Sequence, residues 1–180
     1  MIIAAIPYCP RDEGSVPGPG LDLGHAINQH FERIRDDDWL LTLDHDLMLT
    51  TRDWYRRLER AIEQQPDAGF FTLMRAPAST ATLWSQPEGV KRNSTDIVYH
   101  RTFGRELAAR ENGHLEDVTD KNVTAGIFLM KKIVWRAVGG WKNGFKAESI
   151  DYDMHRRIRS AGYRIYLIRD VYCHHSKFLG

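Results

Sequence analysis

Trp39-Leu40-Leu41-Thr42-Leu43-Asp44-His45-Asp46 decides how the rest of the chain is read. A run that is apolar but for Thr42 stops abruptly at two aspartates one residue apart. A strand buried on both faces of a sheet reads as a near-continuous apolar run, so Trp39 to Leu43 predicts an interior strand. In open α/β sheets, ligands bind beyond the carboxyl ends of the strands. Side chains two apart on extended backbone point the same way. Asp44 and Asp46 would then offer hard oxygen donors side by side, a pattern that suits Mg²⁺ or Mn²⁺. Asp-x-Asp alone is weak evidence. The triplet recurs at Asp36 to Asp38 and at Asp151 to Asp153, and only Asp44 to Asp46 ends an apolar strand. The bland reading is a solvated turn with helix-capping carboxylates, and Asp36-Asp37-Asp38 is assigned to it.

Working outward, Thr50-Thr51-Arg52-Asp53-Trp54 opens a helix. It is expected over Thr51 to Gln65, with Trp54, Leu58, Ala61 and Ile62 on one side and Pro66-Asp67 as its stop. Upstream, Met1 to Pro7 reads as a first buried strand, and the Pro- and Gly-rich Tyr8 to Gly20 as a loop in which Arg11 could reach a phosphate. Leu23 to Ile34 has helical spacing, with Asp22 as N-cap.

Downstream, Gly69 to Met74 is a strand, and Arg75 to Asp96 has no periodicity and the length of a functional loop. Tyr99 to Arg110 reads as a helix, Glu111 to Asn122 as turns and Val123 to Met130 as a strand. Lys131 to Val138 is a short helix closed by Gly139-Gly140. Ile150, Met154, Ile158 and Ala161 make an apolar stripe on a further helix, with Asp151 and His155 off it and one turn apart. Tyr163 to Ile168 and Val171 to Cys173 are the last strands, ending in His174-His175. Strands alternating with helices predict one α/β domain over residues 1–180, a mostly parallel sheet with helices on both faces.

Composition bounds the rest. A chain of 180 residues can bury one substantial core, and 42% hydrophobic with 27% charged residues is ordinary for a globular protein. The net charge of +1 excludes broad nucleic-acid or membrane-surface binding as an expectation. Met1 to Ile6 is too short for a signal peptide, and no run has the length of a transmembrane span. Cys9 and Cys173 are far apart, so a reduced, cytoplasmic setting is the expectation.

Several segments together resemble the family 2-type glycosyltransferases with the A-type fold. Leu40 to Asp46 (LLTLDHD) is similar to that family's strand ending in Asp-x-Asp. Gly139-Gly140-Trp141, followed by Asp151 to Tyr163 (DYDMHRRIRSAGY), resembles its "GGF … EDxDLxxRLRxAGY" block. Val171 to His174 (VYCH) resembles its closing strand, and Gly24 to Asn28 (GHAIN) more weakly its "GxAxN" helix. The resemblance implies that Asp44 and Asp46 hold a divalent metal, Mn²⁺ or Mg²⁺, on the diphosphate of a nucleotide sugar. Asp46 is then the direct ligand, with His174 as a further ligand and His175 as its alternative. Asp151 matches the family's general base, and Ile150 stands where the family has Glu, which makes Glu148 a rival base. Arg11, Asp44, His45 and Lys177 are the nucleotide-contact candidates.

The reaction so implied is transfer of a sugar from a nucleotide-diphosphate donor, UDP-linked by preference, to a hydroxyl of a glycan, lipid or protein. The metal would neutralise the leaving diphosphate, and a carboxylate would take the acceptor's proton with inversion at the anomeric carbon. The chain lacks the segment between its first strand and the GHAIN helix that supplies the family's base-reading aspartate. Two alternatives therefore stand: a non-catalytic nucleotide- and metal-binding protein, and a metal-dependent phosphohydrolase or nucleotidyltransferase.

Overall fold

The computed structural model describes residues 1–7, 23–123, 126–142 and 147–176, without the side chains at 80, 81 and 147–149. In chain order the elements are β1 (Ile2–Ala5), α1 (Leu23–Arg33), β2 (Trp39–Leu43), β3 (Leu47–Leu49), α2 (Trp54–Gln64) and β4 (Ala68–Ala76). A 3₁₀ turn (Thr80–Ser85) follows, then α3 (Ile97–Arg110), β5 (Leu115–Asp117), β6 (Ile127–Lys131), α4 (Lys132–Ala137), α5 (Ala147–Ser160) and β7 (Arg164–His175). They form two compact units, Met1–His45 with Asn122–Tyr163 and Asp46–Lys121 with Arg164–Gly180.

In the first unit β2 lies between two partners. β1 runs parallel to it, with Ile2 opposite Trp39, and β6 antiparallel, with Leu43 opposite Ile127. Leu40, Leu41, Phe128, Leu129 and Met130 have no exposed surface, as the apolar run requires. Ile27 and Phe31 of α1, Val134 of α4 and Met154 and Ile158 of α5 are buried with them, and Phe31 stacks on Trp135 with centroids 5.3 Å apart. Asn28 ties the GHAIN helix to Gly140-Trp141. Its side-chain oxygen accepts from Trp135 Nε1 and Trp141 N, and its Nδ2 donates to Trp141 O, each at 2.8 Å. Gly139 and Gly140 hold φ of 79° and 71°, which a glycine adopts without strain. Arg157 donates to the carbonyls of Val138 and Gly140 and to Asp153.

In the second unit the long β7 is the spine. β4 runs parallel along it; β5 pairs antiparallel with its first half, and β3 with its last three residues. The register with β4 slips between Leu73↔Ile168 and Met74↔Tyr172, so residues 169–171 bulge from the ladder. Asp170, 1% exposed, sits in that bulge and is compensated by Arg57 at 2.6 Å, by Arg60, and by Gly113 N at 2.8 Å.

Several expectations change. The strands pair in a mixed rather than mostly parallel way, because β3, β5 and β6 all return antiparallel to their partners. The two final strands are one, since the bulge carries the polar Arg169-Asp170 without ending it. The helix expected from Thr51 starts at Trp54, after Leu47–Leu49 has formed a strand and Asp53 has turned to φ 59°. The helix expected from Tyr99 starts at Ile97, where the Asp96 carboxylate accepts from Val98 N and Tyr99 N. The strand expected from Val123 begins at Ile127, and the expected turns and loop contain β5 and the 3₁₀ turn. Asp38 is not solvated: at 2% exposure it meets the N-terminal ammonium at 3.3 Å and Arg35 at 3.2 Å. Asp151 and His155, placed off the buried stripe of α5, are 2% and 1% exposed, whereas Ala161 is exposed. The Tyr8 to Gly20 loop, Cys9 and Asp22 lie outside the described residues.

Candidate metal centre

The carboxyl end of β2 sets the position of Asp44, whose backbone N–H donates to Gly126 O at 2.8 Å. The chain then turns and lays β3 against the end of β7, with Leu47 opposite His175, Met48 opposite His174 and Leu49 opposite Cys173. Asp46 stands just before β3, and its carbonyl accepts from Ser176 N at 2.8 Å. This register delivers the His175 ring to the Asp46 side chain, Nε2 to carboxylate oxygen 3.0 Å. Both side chains are about one-fifth exposed, 18% and 21%, so solvent or a ligand can reach them.

Asp44 belongs to the same short turn as Asp46, with His45 between them. One donor atom each of Asp44, Asp46 and His175 lies within 4.8 Å of the others. Two carboxylates and one imidazole suit a divalent cation, and the imidazole favours Mn²⁺ over Mg²⁺, which prefers an all-oxygen shell. The donor set thus fits a divalent cation of the kind that the resemblance implies, Mn²⁺ or Mg²⁺.

Neighbouring strand residues face opposite ways, so His174 and His175 cannot share a ligand. His174 is 5% exposed, and its ring stacks on His100 at 3.7 Å between centroids. His100, fully buried, has Nε2 2.8 Å from Ser94 O and Nδ1 2.8 Å from Tyr172 Oη. A carbonyl can only accept, so Nε2 carries a proton, and in the neutral ring Nδ1 accepts from the tyrosine hydroxyl. Burial and then the neighbouring His100 lower the His174 pKa, and burial pushes the Tyr172 hydroxyl up. This chain, His174–His100–Tyr172, was not singled out in the sequence, and nothing in the spacing of His100 marks it.

The other candidates fall elsewhere. His45 is exposed. Asp151 lies on α5 with His155, whose pKa is lowered to about 3 by burial and then by the Arg159 charge. Asp153, of the third Asp-x-Asp triplet, is a salt-bridge hub. Burial pushes its carboxyl up, but Lys142, Arg156 and Arg157 together hold it down at about 2. Arg11, Lys177 and the Glu148 side chain lie outside the described residues.

A scan of the sequence against protein-family models finds no match, and a search of curated proteins finds none. Among the described residues, no helix is long and apolar enough to cross a membrane.

Proposed function

We propose that the chain is a metal-dependent glycosyltransferase of the A-type fold that uses a nucleotide-diphosphate sugar, UDP-linked by preference. The observation that carries this reading is the approach of His175 to Asp46, beside Asp44. The family resemblance calls for this combination of an Asp-x-Asp strand end and a histidine from the last strand. Asp44, Asp46 and His175 would hold Mn²⁺, which supplies Lewis-acid neutralisation of charge on the diphosphate. A second support is local. The GHAIN, GGW and DYDMHRR segments of the resemblance meet in one network, Asn28 on Trp141 and Arg157 on Gly140.

The resemblance gives Asp151 the role of accepting the acceptor's proton. A general base must come within hydrogen-bond reach of the acceptor hydroxyl, and at 2% exposure Asp151 is covered, which counts against that role. Ile150, standing where the family has Glu, is 4% exposed and packs as core. That observation favours the second reading, a nucleotide- and metal-binding protein that does not transfer.

Calorimetric titration of UDP with and without Mn²⁺, on wild type, Asp46→Ala and His175→Ala, tests the proposal. Binding that requires the metal and both side chains supports the donor site, and metal-independent binding overturns it. Sugar transfer or release that is lost in Asp151→Asn separates an enzyme from a binder. Release of free phosphate from the nucleotide would instead point to a phosphohydrolase.

A further inference from the structure

A cavity of about 710 Å³ opens in the second unit between the β3–α2 connection and the first turns of α3. Its volume is that of a small-molecule site. Among the described residues, three arginines line it, Arg52 before α2 and Arg101 and Arg105 on α3, and no carboxylate does. None of the three makes an ion pair with a described residue, although most other arginines of this unit do. Arg101 and Arg105 are four apart on one helix, a like-charge spacing that weakens an isolated helix. An anion lying between them would remove that repulsion.

The floor is rigid. Thr50 Oγ1 donates to Tyr172 O at 3.2 Å, and Thr51 Oγ1 accepts from Tyr172 N at 2.8 Å. The rim is apolar and open to solvent. Met48 is 40%, Ile97 47% and Val98 73% exposed. Guanidinium forks match the oxygens of a phosphate better than they match a single carbonyl. A grouped set of large exposed apolar side chains calls for apolar cover.

We propose that this cavity binds a phosphate monoester carrying a short apolar chain, the phosphate on Arg52, Arg101 and Arg105 and the chain against Met48, Ile97 and Val98. A dissolved amphiphile fits better than a membrane face, because the ligand must enter a cavity and the whole chain carries a net charge of only +1. The proposal stands apart from sugar transfer and needs no metal.

The test is calorimetry on the full chain with hexyl phosphate, inorganic phosphate and hexanol, together with co-sedimentation on phosphatidic acid vesicles. Hexyl phosphate is expected to bind tighter than either fragment. Arg101→Glu and Arg105→Glu each weaken it by about tenfold or more, and Arg101→Lys by less. Val98→Ser weakens hexyl phosphate and leaves inorganic phosphate unchanged, and Asp46→Ala changes neither. Melting curves establish that each variant is folded. Equal affinity in wild type and both Glu variants, no binding at millimolar hexyl phosphate, or association with vesicles alone would overturn the proposal.

Discussion

The Nε2 of His175 lies 3.0 Å from a carboxylate oxygen of Asp46, while its neighbour His174 faces away and stacks on His100 at 3.7 Å. One residue of register on β7 therefore separates a candidate ligand from a core ring.

Substitution should separate the two histidines. His175→Ala is expected to weaken Mn²⁺ binding by about tenfold or more and to move the unfolding midpoint little, because its ring is partly exposed. His174→Ala removes a buried ring and is expected to cost about 2 to 4 kcal/mol of stability. Its effect on Mn²⁺ affinity at a temperature where it remains folded should be small. Equal loss of metal affinity in both variants would sink the assignment of His175.

The part of this site legible in the sequence was the end of β2. An apolar run ending in Asp44-His45-Asp46 carries its own signal of burial and position. What was not legible was β3. A strand of three residues has no period to detect, and Leu47–Leu49 looks like any short apolar stretch. Yet β3 fixes the register that chooses His175. The bulge at Arg169-Asp170 was hidden for a related reason. Polar residues inside a strand read as a break, unless the partners that compensate them, here Arg57, Arg60, Glu111 and Glu116, are known. The burial of Asp151 and His155 is not legible in the sequence, because a buried polar pair has no hydropathy signal.

Gly104 lies on α3 against Thr50. A Cβ built there would come 3.1 Å from Thr50 Oγ1 and 3.2 Å from its carbonyl oxygen. Alanine in place of helical glycine gains about 1 kcal/mol of propensity. Backbone cannot yield as a flexible side-chain tip can, so overpacking should outweigh this by about 1 to 2 kcal/mol. Gly104→Ala is thus expected to be net destabilising in urea unfolding. A stabilised variant would show that the β3–α2 connection at Thr50 and α3 can move apart at no cost.

Asn28 satisfies three groups at once, the Trp135 indole N–H and both backbone groups of Trp141. Truncation leaves them without partners in a part-buried place, at a cost of about 2 to 4 kcal/mol. Asn28→Asp keeps the acceptor but loses the donor to Trp141 O, so it should fall between wild type and Asn28→Ala. Thermal melting of the three chains gives the order, and indistinguishable variants would rule out the network as a clamp.

Stability should also fall on mild acidification, and His155 gives the sign. Its folded pKa, about 3, lies below its ordinary value because burial and then Arg159 disfavour the charged ring. Between about pH 6.5 and 3 the unfolded chain binds a proton that the folded chain refuses, so stability drops as pH falls through this window and is flat above it. One such proton gives a slope of at most about 1.4 kcal/mol per pH unit. His174, lowered by burial and by His100, adds to the same slope. Asp153, held at about 2 despite burial by Lys142, Arg156 and Arg157, is lost only below about pH 4. Urea midpoints from pH 7 to 4.5 should therefore decline more steeply in wild type than in His155→Gln, while Asp153→Asn changes the level and not the slope. Parallel curves for wild type and His155→Gln would mean that the ring takes up its proton in the folded state.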